Sequence, residues 1–311
     1  AQHGVAADAA ATPANAAELE EVIIEGRRVR EEMSTVAFDS AKFGSQVQII
    51  TSAEVDTGGF TNFGELAAGL IRGANIGYSP DEGEFTIRID GGSDRDTLLL
   101  LDGVPTFDRG TPLEDLWGAT AIDPRMIDSV EILRGGQSLY YGGNGGLGVV
   151  SVRYKEPAGE LKGEFGAYYG DFKTREVYGN VSYPIDDAGA HSVMFYGRSY
   201  ETDAHEIFSP TAYNDVVLEL GGYHEFPYTY NLIGGKYRWN INDDTVLKAG
   251  VELATVDFRD SFPNDHIFNL NYTDYPKFQA SVTTQFRDNV FFEAEAFFQN
   301  PQLKNSEVDA Q

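Results

Sequence analysis

The residues able to carry chemistry form no familiar catalytic or metal-binding pattern. The five histidines stand at positions 3, 191, 205, 224 and 266, and those at 205 and 224 are followed by Glu. Neither is followed by the second His that a zinc-binding H-E-x-x-H motif requires. The chain has no cysteine, which excludes thiolate metal ligands and a cysteine nucleophile. We therefore predict no catalytic residue, no resident metal and no cofactor.

A glycine-rich run at 143–148 matches the spacing G-x-G-x-x-G. A dinucleotide-binding loop of this kind opens a helix, because the helix N-terminus receives the phosphates. Here the run leads into Val149 and Val150, which are typical of a strand. The pattern favours glycines that allow close packing over a nucleotide site.

The net charge of the chain limits the classes of partner that it is expected to bind. The chain of 311 residues has 23 Lys and Arg against 49 Asp and Glu, a formal net charge of −26. Nucleic acid is not expected as a partner, because phosphate binding needs a basic surface. The 34 glycines, 17 tyrosines and 20 phenylalanines favour β-structure.

The first 26 residues divide into two parts. Residues 1–19 are rich in Ala and show no apolar period, which predicts a flexible tail. The run EEVIIEG at 20–26 is short, extended and apolar at its centre, so it could be an ordinary edge strand or a strand added to a partner's sheet. The start at Ala1 is typical of a chain from which a signal peptide has been removed.

Residues 27–157 mix helical and strand periods, which predicts a compact α+β domain. One helix is expected to begin after Thr51, with Glu54 completing a capping box, and a second after Asn62. Strands are expected at 46–50, 85–89, 98–101, 127–133 and 149–154.

After Pro157 the pattern changes to segments of about ten residues whose apolar positions alternate with polar ones. Seven such segments are expected, near 161–169, 176–183, 191–201, 228–239, 245–257, 275–286 and 290–298. Tight turns near 186–189, 242–244 and 287–289 alternate with long connections near 202–227 and 259–274. This pattern favours a transmembrane β-barrel over a soluble β-sandwich, which remains an alternative.

Two motifs resemble the plug domain of TonB-dependent outer-membrane receptors. They are LLLLDGVP at 98–105 and IDSVEILRGGQSLYYGGNGG at 127–146, in that order. The resemblance implies a plug over 27–157 and the N-terminal part of an outer-membrane barrel over 158–311. Because barrels that hold a plug have about 22 strands, the chain is expected to be incomplete, with about seven of them.

The resemblance also implies a function. Such receptors import scarce ligands across the bacterial outer membrane, are embedded in its lipid and are energised by TonB with ExbB–ExbD. The ligand could be a siderophore, a cobalamin-like molecule or an oligosaccharide, a surface lipoprotein could assist, and no enzymatic activity is implied. A passive porin or surface-binding barrel without energy coupling is the alternative. The implied TonB box is Glu20, Glu21, Val22, Ile23, Ile24, Glu25 and Gly26.

Two further sets of residues follow from the resemblance. Ligand is expected at the outward plug loops, at Tyr78, Ser79, Phe107, Asp108, Arg109 and Trp117. A lock between plug and barrel is expected at Arg88, Asp90, Glu131 and Arg134. Asp90 stands where the family usually has Arg, and Arg88 on the same strand face could replace it. Acidic residues around the plug apex disfavour strongly anionic ferric complexes.

Overall fold

The computed structural model describes residues 46–79, 84–92, 96–105, 122–135, 147–203, 228–262, 267–287, 290–300 and 302–309. The predicted tail and TonB box therefore lie outside the described residues. Within the described ranges, no helix is both long and apolar enough to cross a bilayer. Below, "plug" denotes residues 46–157 and "wall" denotes 158–309.

The described residues of the plug form two short helices and seven strands. They are, in chain order, β1 (Val47–Thr51), α1 (Ser52–Gly58), α2 (Phe63–Leu70), β2 (Ala74–Ser79), β3 (Glu84–Ile89), β4 (Thr97–Leu101), β5 (Val104–Pro105), β6 (Ile127–Arg134) and β7 (Gly148–Tyr154). A 3₁₀ turn, Pro124–Met126, precedes β6. Five strands form one sheet in the order β1-β6-β7-β4-β5, while β2 and β3 form a separate hairpin.

Local sequence explains where the two helices begin. The Thr51 hydroxyl accepts from the Glu54 amide and the Glu54 carboxylate accepts from the Thr51 amide, so the predicted capping box is present. The Asn62 side chain accepts from the Glu65 amide and caps α2, as predicted. Helix α1 then packs on β1 and β6, helix α2 packs on the β2–β3 hairpin, and Phe63 is fully buried in the core.

The Asp102-Gly103 pair closes a tight hairpin after β4. Leu101 pairs with Val104, leaving only these two residues in the turn. Both have positive φ, 51° and 80°, as a type I′ turn requires. The turn is held to β7, because the Asp102 amide donates to Val152 O and the Tyr154 amide donates to Asp102 Oδ1, each at 2.8 Å.

The wall is a single antiparallel sheet that runs in chain order. Its strands are β8 (Lys162–Tyr169), β9 (Arg175–Pro184), β10 (His191–Thr202), β11 (Tyr228–Asn242), β12 (Thr245–Phe262), β13 (Ile267–Arg287), β14 (Val290–Gln299) and β15 (Gln302–Asp309).

Burial alternates along the wall strands as the sequence pattern predicted. On β12, Glu252 and Ala254 are buried, whereas Val251 and Leu253, which alternate with them, are exposed. The buried positions face the plug and the exposed apolar ones form the outer surface. This is the pattern of a barrel strand with lipid on one side.

The predicted long connection at 259–274 is wrong. Strands β12 and β13 pair up to Phe262 and Ile267, which makes them 18 and 21 residues long. A strand needs only about 9–11 residues to cross the bilayer. The prediction assumed strands of about this length and therefore assigned the remainder to a connection.

Strands β14 and β15 continue one another. Both pair with β13 in one register, since Gln299 is opposite Lys277 and Gln302 is opposite Asp274. The residue at 301 is proline, which has no amide hydrogen to donate to the ladder. The described wall thus contains seven strand positions around the barrel, the predicted number.

Candidate functional site at the plug–wall interface

Two clusters of charged residues join the plug to the wall. The first cluster consists of Asp123 and Arg125 from the plug and Glu176 and Arg198 from the wall. Asp123 accepts from the Arg125 amide at 3.1 Å and so caps the 3₁₀ turn, which presents the Arg125 side chain to β9. Glu176 and Arg198 occupy plug-facing positions on β9 and β10.

Glu176 is the centre of this first cluster. Arg125 Nη1 and Nη2 donate to its two carboxylate oxygens at 2.6 and 2.7 Å, and Arg198 Nε donates to Oε1 at 2.5 Å. Its side chain is 0% exposed, so these bonds replace all its contact with water. Arg198 also donates to Thr61 O at 2.9 Å, and the Arg125 guanidinium lies 3.9 Å from the centre of the Tyr178 ring. Bidentate, charge-assisted bonds of this kind are strong and directional.

Asp123 lies beside both guanidinium groups, 3.5 Å from Arg125 and 4.0 Å from Arg198. Burial raises the pKa of its carboxyl above the ordinary value, although both arginines act in the opposite direction. Its amide donates to the Tyr154 hydroxyl at 2.8 Å. Burial, aided by the nearby Glu252 and Asp123 carboxylates, raises the pKa of Tyr154 well above its usual range, so the phenol stays neutral.

The second cluster is built around Lys236 on β11, whose side chain is 5% exposed. Lys236 Nζ lies 2.9 Å from Asp102 Oδ2 and donates to the carbonyls of Tyr154 and Lys155 at 3.4 and 3.3 Å. Glu156 lies 3.8 Å from Lys236 Nζ and 3.3 Å from Lys248 Nζ. This cluster therefore sits where the plug chain passes into the wall.

Asp102 is ionised in this setting. Burial alone would raise its pKa, but Lys236 and Lys277 outweigh burial and hold the pKa of Asp102 below its ordinary value. On the wall, the Tyr196 hydroxyl donates to Glu252 at 2.7 Å and Lys277 lies 3.5 Å from the same carboxylate. The plug thus faces a wall surface of alternating charges and phenols.

A cavity of about 360 Å³ lies next to the second cluster, between the Asp102-Gly103 turn and β11–β14. Its lining carries charges of both signs, including Glu156, Lys248 and Glu295. Ligand pockets are usually lined mainly by apolar side chains. This lining suits water and small ions better than an apolar ligand.

Of the four predicted lock residues, Arg134 and Asp90 contact each other among the described residues, and this contact lies within the plug. Arg134 Nη1 donates to Asp90 at 2.5 Å, and Arg134 also donates to the carbonyl of Arg72. Glu131, fully buried, pairs with Arg153 at 2.9 Å. Arg88 lies exposed on β3, opposite Asn75. A contact of these four residues with the barrel stays a prediction.

The predicted ligand residues are only partly described. Tyr78 and Ser79 end β2, opposite Phe85 and Glu84 of β3. Phe107, Asp108, Arg109 and Trp117 lie outside the described residues, as do Glu20, Glu21, Val22, Ile23, Ile24, Glu25 and Gly26 of the predicted TonB box. Both sites stay predictions.

Sequence reasoning missed the residues that join plug and wall. Glu176, Arg125, Arg198 and Lys236 were not singled out as site residues. A signal was available, because a charged residue at an inward position of a wall strand needs a partner on the plug.

Comparisons with known proteins agree with this architecture. The TonB-dependent receptor plug domain family matches residues 39–149, which include both motifs and the Asp102 turn. Residues 39–149 therefore carry the plug domain of TonB-dependent receptors. The plug and wall together have the fold of these receptors, with the plug domain followed by antiparallel barrel strands. The domain boundaries at 26/27 and 157/158 remain predictions.

Two curated receptors are similar over the same 131 residues. The ferrienterobactin receptor of Escherichia coli K12 is 30% identical, and the ferric enterobactin receptor PirA of Pseudomonas aeruginosa is 28% identical. In each case the match covers 38% of this chain and 17% of the relative.

Solved structures extend the likeness to most of the chain. The alcaligin outer-membrane receptor FauA of Bordetella pertussis has a TM-score of 0.63 at 19% identity, covering 84% of this chain and 40% of FauA. The ferric enterobactin receptor PfeA of P. aeruginosa, solved with enterobactin, has a TM-score of 0.63 at 17% identity, covering 84% of this chain and 41% of PfeA. The chain thus spans less than half the length of these receptors, and the likeness concerns the fold.

Proposed function

We propose that this receptor imports a scarce extracellular ligand across the outer membrane, with the plug as a gate that TonB opens. One observation supports this most directly: Glu176 of the wall is shared by Arg125 of the plug and Arg198 of the wall. Polar interfaces within a chain are compatible with relative motion, whereas large apolar ones are not. A plug held by ion pairs can separate from the wall without exposing a large apolar surface. No covalent chemistry is needed, so the proposal is a transporter and not an enzyme.

The proposed ligand is a ferric siderophore of low net charge. The named relatives bind ferric enterobactin or alcaligin by their names, which favours a siderophore over a cobalamin-like molecule or an oligosaccharide. The sequence that joins β10 to β11, 204–227, has four acidic residues and no Lys or Arg. Residues 255–276 have four Asp against one Arg. Such segments repel a triply anionic complex and tolerate a neutral one.

Energy for opening is proposed to come from TonB, with ExbB–ExbD, acting on the TonB box at 20–26. A short extended apolar segment can add as a strand to the edge of a partner's sheet. Because the box precedes the plug in the same chain, a pull on it is transmitted to the plug.

The proposal is tested by uptake of two ferric probes, a neutral trihydroxamate and ferric enterobactin, with and without a protonophore. Uptake should be abolished by the protonophore. Ile23→Pro should also abolish uptake and leave binding unchanged, because proline removes a strand donor.

Ala10→Pro, in the predicted tail, is the matched control and should transport normally. Uptake that persists with the protonophore would instead indicate a passive porin. Exclusive transport of ferric enterobactin would overturn the charge argument while leaving the transporter assignment intact.

A further inference from the structure

The two charged clusters differ in what each side retains when plug and wall separate. In the first cluster, Asp123 stays beside Arg125 in the plug, 3.5 Å away, while Glu176 stays bonded to Arg198 in the wall at 2.5 Å. Each side therefore keeps one acid and one base. Separation breaks the bonds between Arg125 and Glu176 without leaving a lone charge on either surface.

The second cluster does not divide in this way. Within the described part of the plug, Asp102 makes no ion pair with a plug base, and its partner is Lys236 of the wall at 2.9 Å. Separation would leave a lone carboxylate in the plug. The Asp102 carboxylate would have to be rehydrated or stay unpaired, a cost that the first cluster avoids, so this contact should open less readily than the first.

The position of the second cluster adds to its resistance. Lys236 also donates to the carbonyls of Tyr154 and Lys155, at the end of β7. Asp102 is bonded to the Tyr154 amide at 2.8 Å. The chain itself passes from plug to wall at 155–161, so the covalent link and the second cluster hold the same corner of the plug.

We propose that the first cluster is a latch that opens during transport, while the second is an anchor on which the plug pivots. The latch consists of Asp123, Arg125, Glu176 and Arg198; the anchor consists of Asp102 and Lys236. This inference rests on the proposed transport function. According to this proposal, the plug separates from the wall between residues 122–126 and strands β9–β10. The Asp102-Gly103 turn stays in contact with the wall throughout.

Cysteine pairs test the proposal, since the chain has no cysteine of its own. Arg125→Cys with Tyr178→Cys spans the latch, where the guanidinium lies 3.9 Å from the ring centre. Lys155→Cys with Glu164→Cys spans the anchor end, where Lys155 Nζ lies 3.6 Å from Glu164 Oε2. Arg175→Cys with Glu201→Cys joins paired positions of β9 and β10 and is the wall-only control.

Each pair is cross-linked in cells with a short bismaleimide, and binding and uptake of the two ferric probes are measured before and after. The latch cross-link should remove uptake and leave binding intact. The anchor and control cross-links should leave both intact. Uptake that survives the latch cross-link, or that is lost equally with the anchor cross-link, overturns the proposal.

A second measurement does not depend on transport. Hydrogen exchange of the purified receptor should be faster over 122–126 in Glu176→Gln, with no change over 97–105, and Glu201→Gln should change neither. If Glu176→Gln does not accelerate hydrogen exchange over 122–126, or accelerates it equally over 97–105, the latch proposal is overturned. If the parent protein takes up neither probe, the transport proposal fails and this exchange experiment alone decides the latch.

Discussion

Replacing Glu176 by Gln measures how much the negative charge at the centre of the plug–wall contact contributes to plug stability. The amide keeps the shape of the side chain but removes the ionic partner of Arg125 and Arg198, which donate to it at 2.5–2.7 Å. Breaking a buried pair by removing one partner costs about 3–5 kcal/mol. Because Asp123 remains 3.5 Å from Arg125 and 4.0 Å from Arg198, the lower end of that range applies, about 3 kcal/mol.

The measurement is the free energy of plug unfolding in the detergent-solubilised receptor, by pulse proteolysis across a urea series. Glu201→Gln is the matched control, because Glu201 pairs with Arg175 on the exposed face of the wall. Exposed pairs contribute little, so this variant should unfold with the parent. An equal effect of the two substitutions, or no effect of Glu176→Gln, would refute the assignment of the buried cluster as the main ionic contact.

Two other substitutions probe the anchor and the core of the plug. Burial would raise the pKa of Asp102, but Lys236 lowers it below the ordinary value. The ionised Asp102 therefore stabilises the folded plug above the unfolded pKa of about 3.9, and this contribution is lost as the pH falls through the lower folded pKa. Asp102→Asn should therefore reduce, but not abolish, the loss of plug stability that the parent shows below about pH 4 in an acid unfolding series, because other buried carboxylates remain. A loss of stability unchanged from the parent would contradict this. Phe63→Ala should lower plug stability by about 3–5 kcal/mol, because the ring is fully buried. Phe165→Ala, on the outer face with 77% of the residue exposed, should leave plug stability unchanged in the same urea series.

The charged interface has a physical rationale for a gate. Replacing buried ion pairs by apolar residues is often neutral or stabilising, so such pairs are weak evidence for stability alone. They do fix geometry, since Glu176 accepts in a defined direction from both sides. An apolar interface of the same extent would expose apolar surface to water each time the plug moved.

Much of the local structure follows from the sequence. Three local features depend only on residues within about four positions of one another, so the sequence alone predicts them. They are the capping box at Thr51, the Asn62 cap and the Asp102-Gly103 turn. The seven wall strands follow from alternation, because lipid on one side and plug on the other impose a period of two.

The prediction failed at the length of two strands. Residues 259–262 and 267–274 form strands although they were expected to be a connection. Alternation continues at Phe268, Leu270 and Tyr272, but strands of about ten residues were assumed, so the rest was assigned to a connection.

The partners of the buried charges were decided by the tertiary structure alone. Arg125 and Glu176 are 51 positions apart, and Arg198 reaches the carbonyl of Thr61 across 137 positions. Alternation tells which face of a strand Glu176 occupies, but not which plug residue faces it, because that depends on how the plug is seated against β9 and β10. The sequence by itself therefore determined the family motifs, the local turns and the strand faces. The folded chain decided which charges meet, since ion pairing needs approach within a few ångströms that only the packing of distant segments provides.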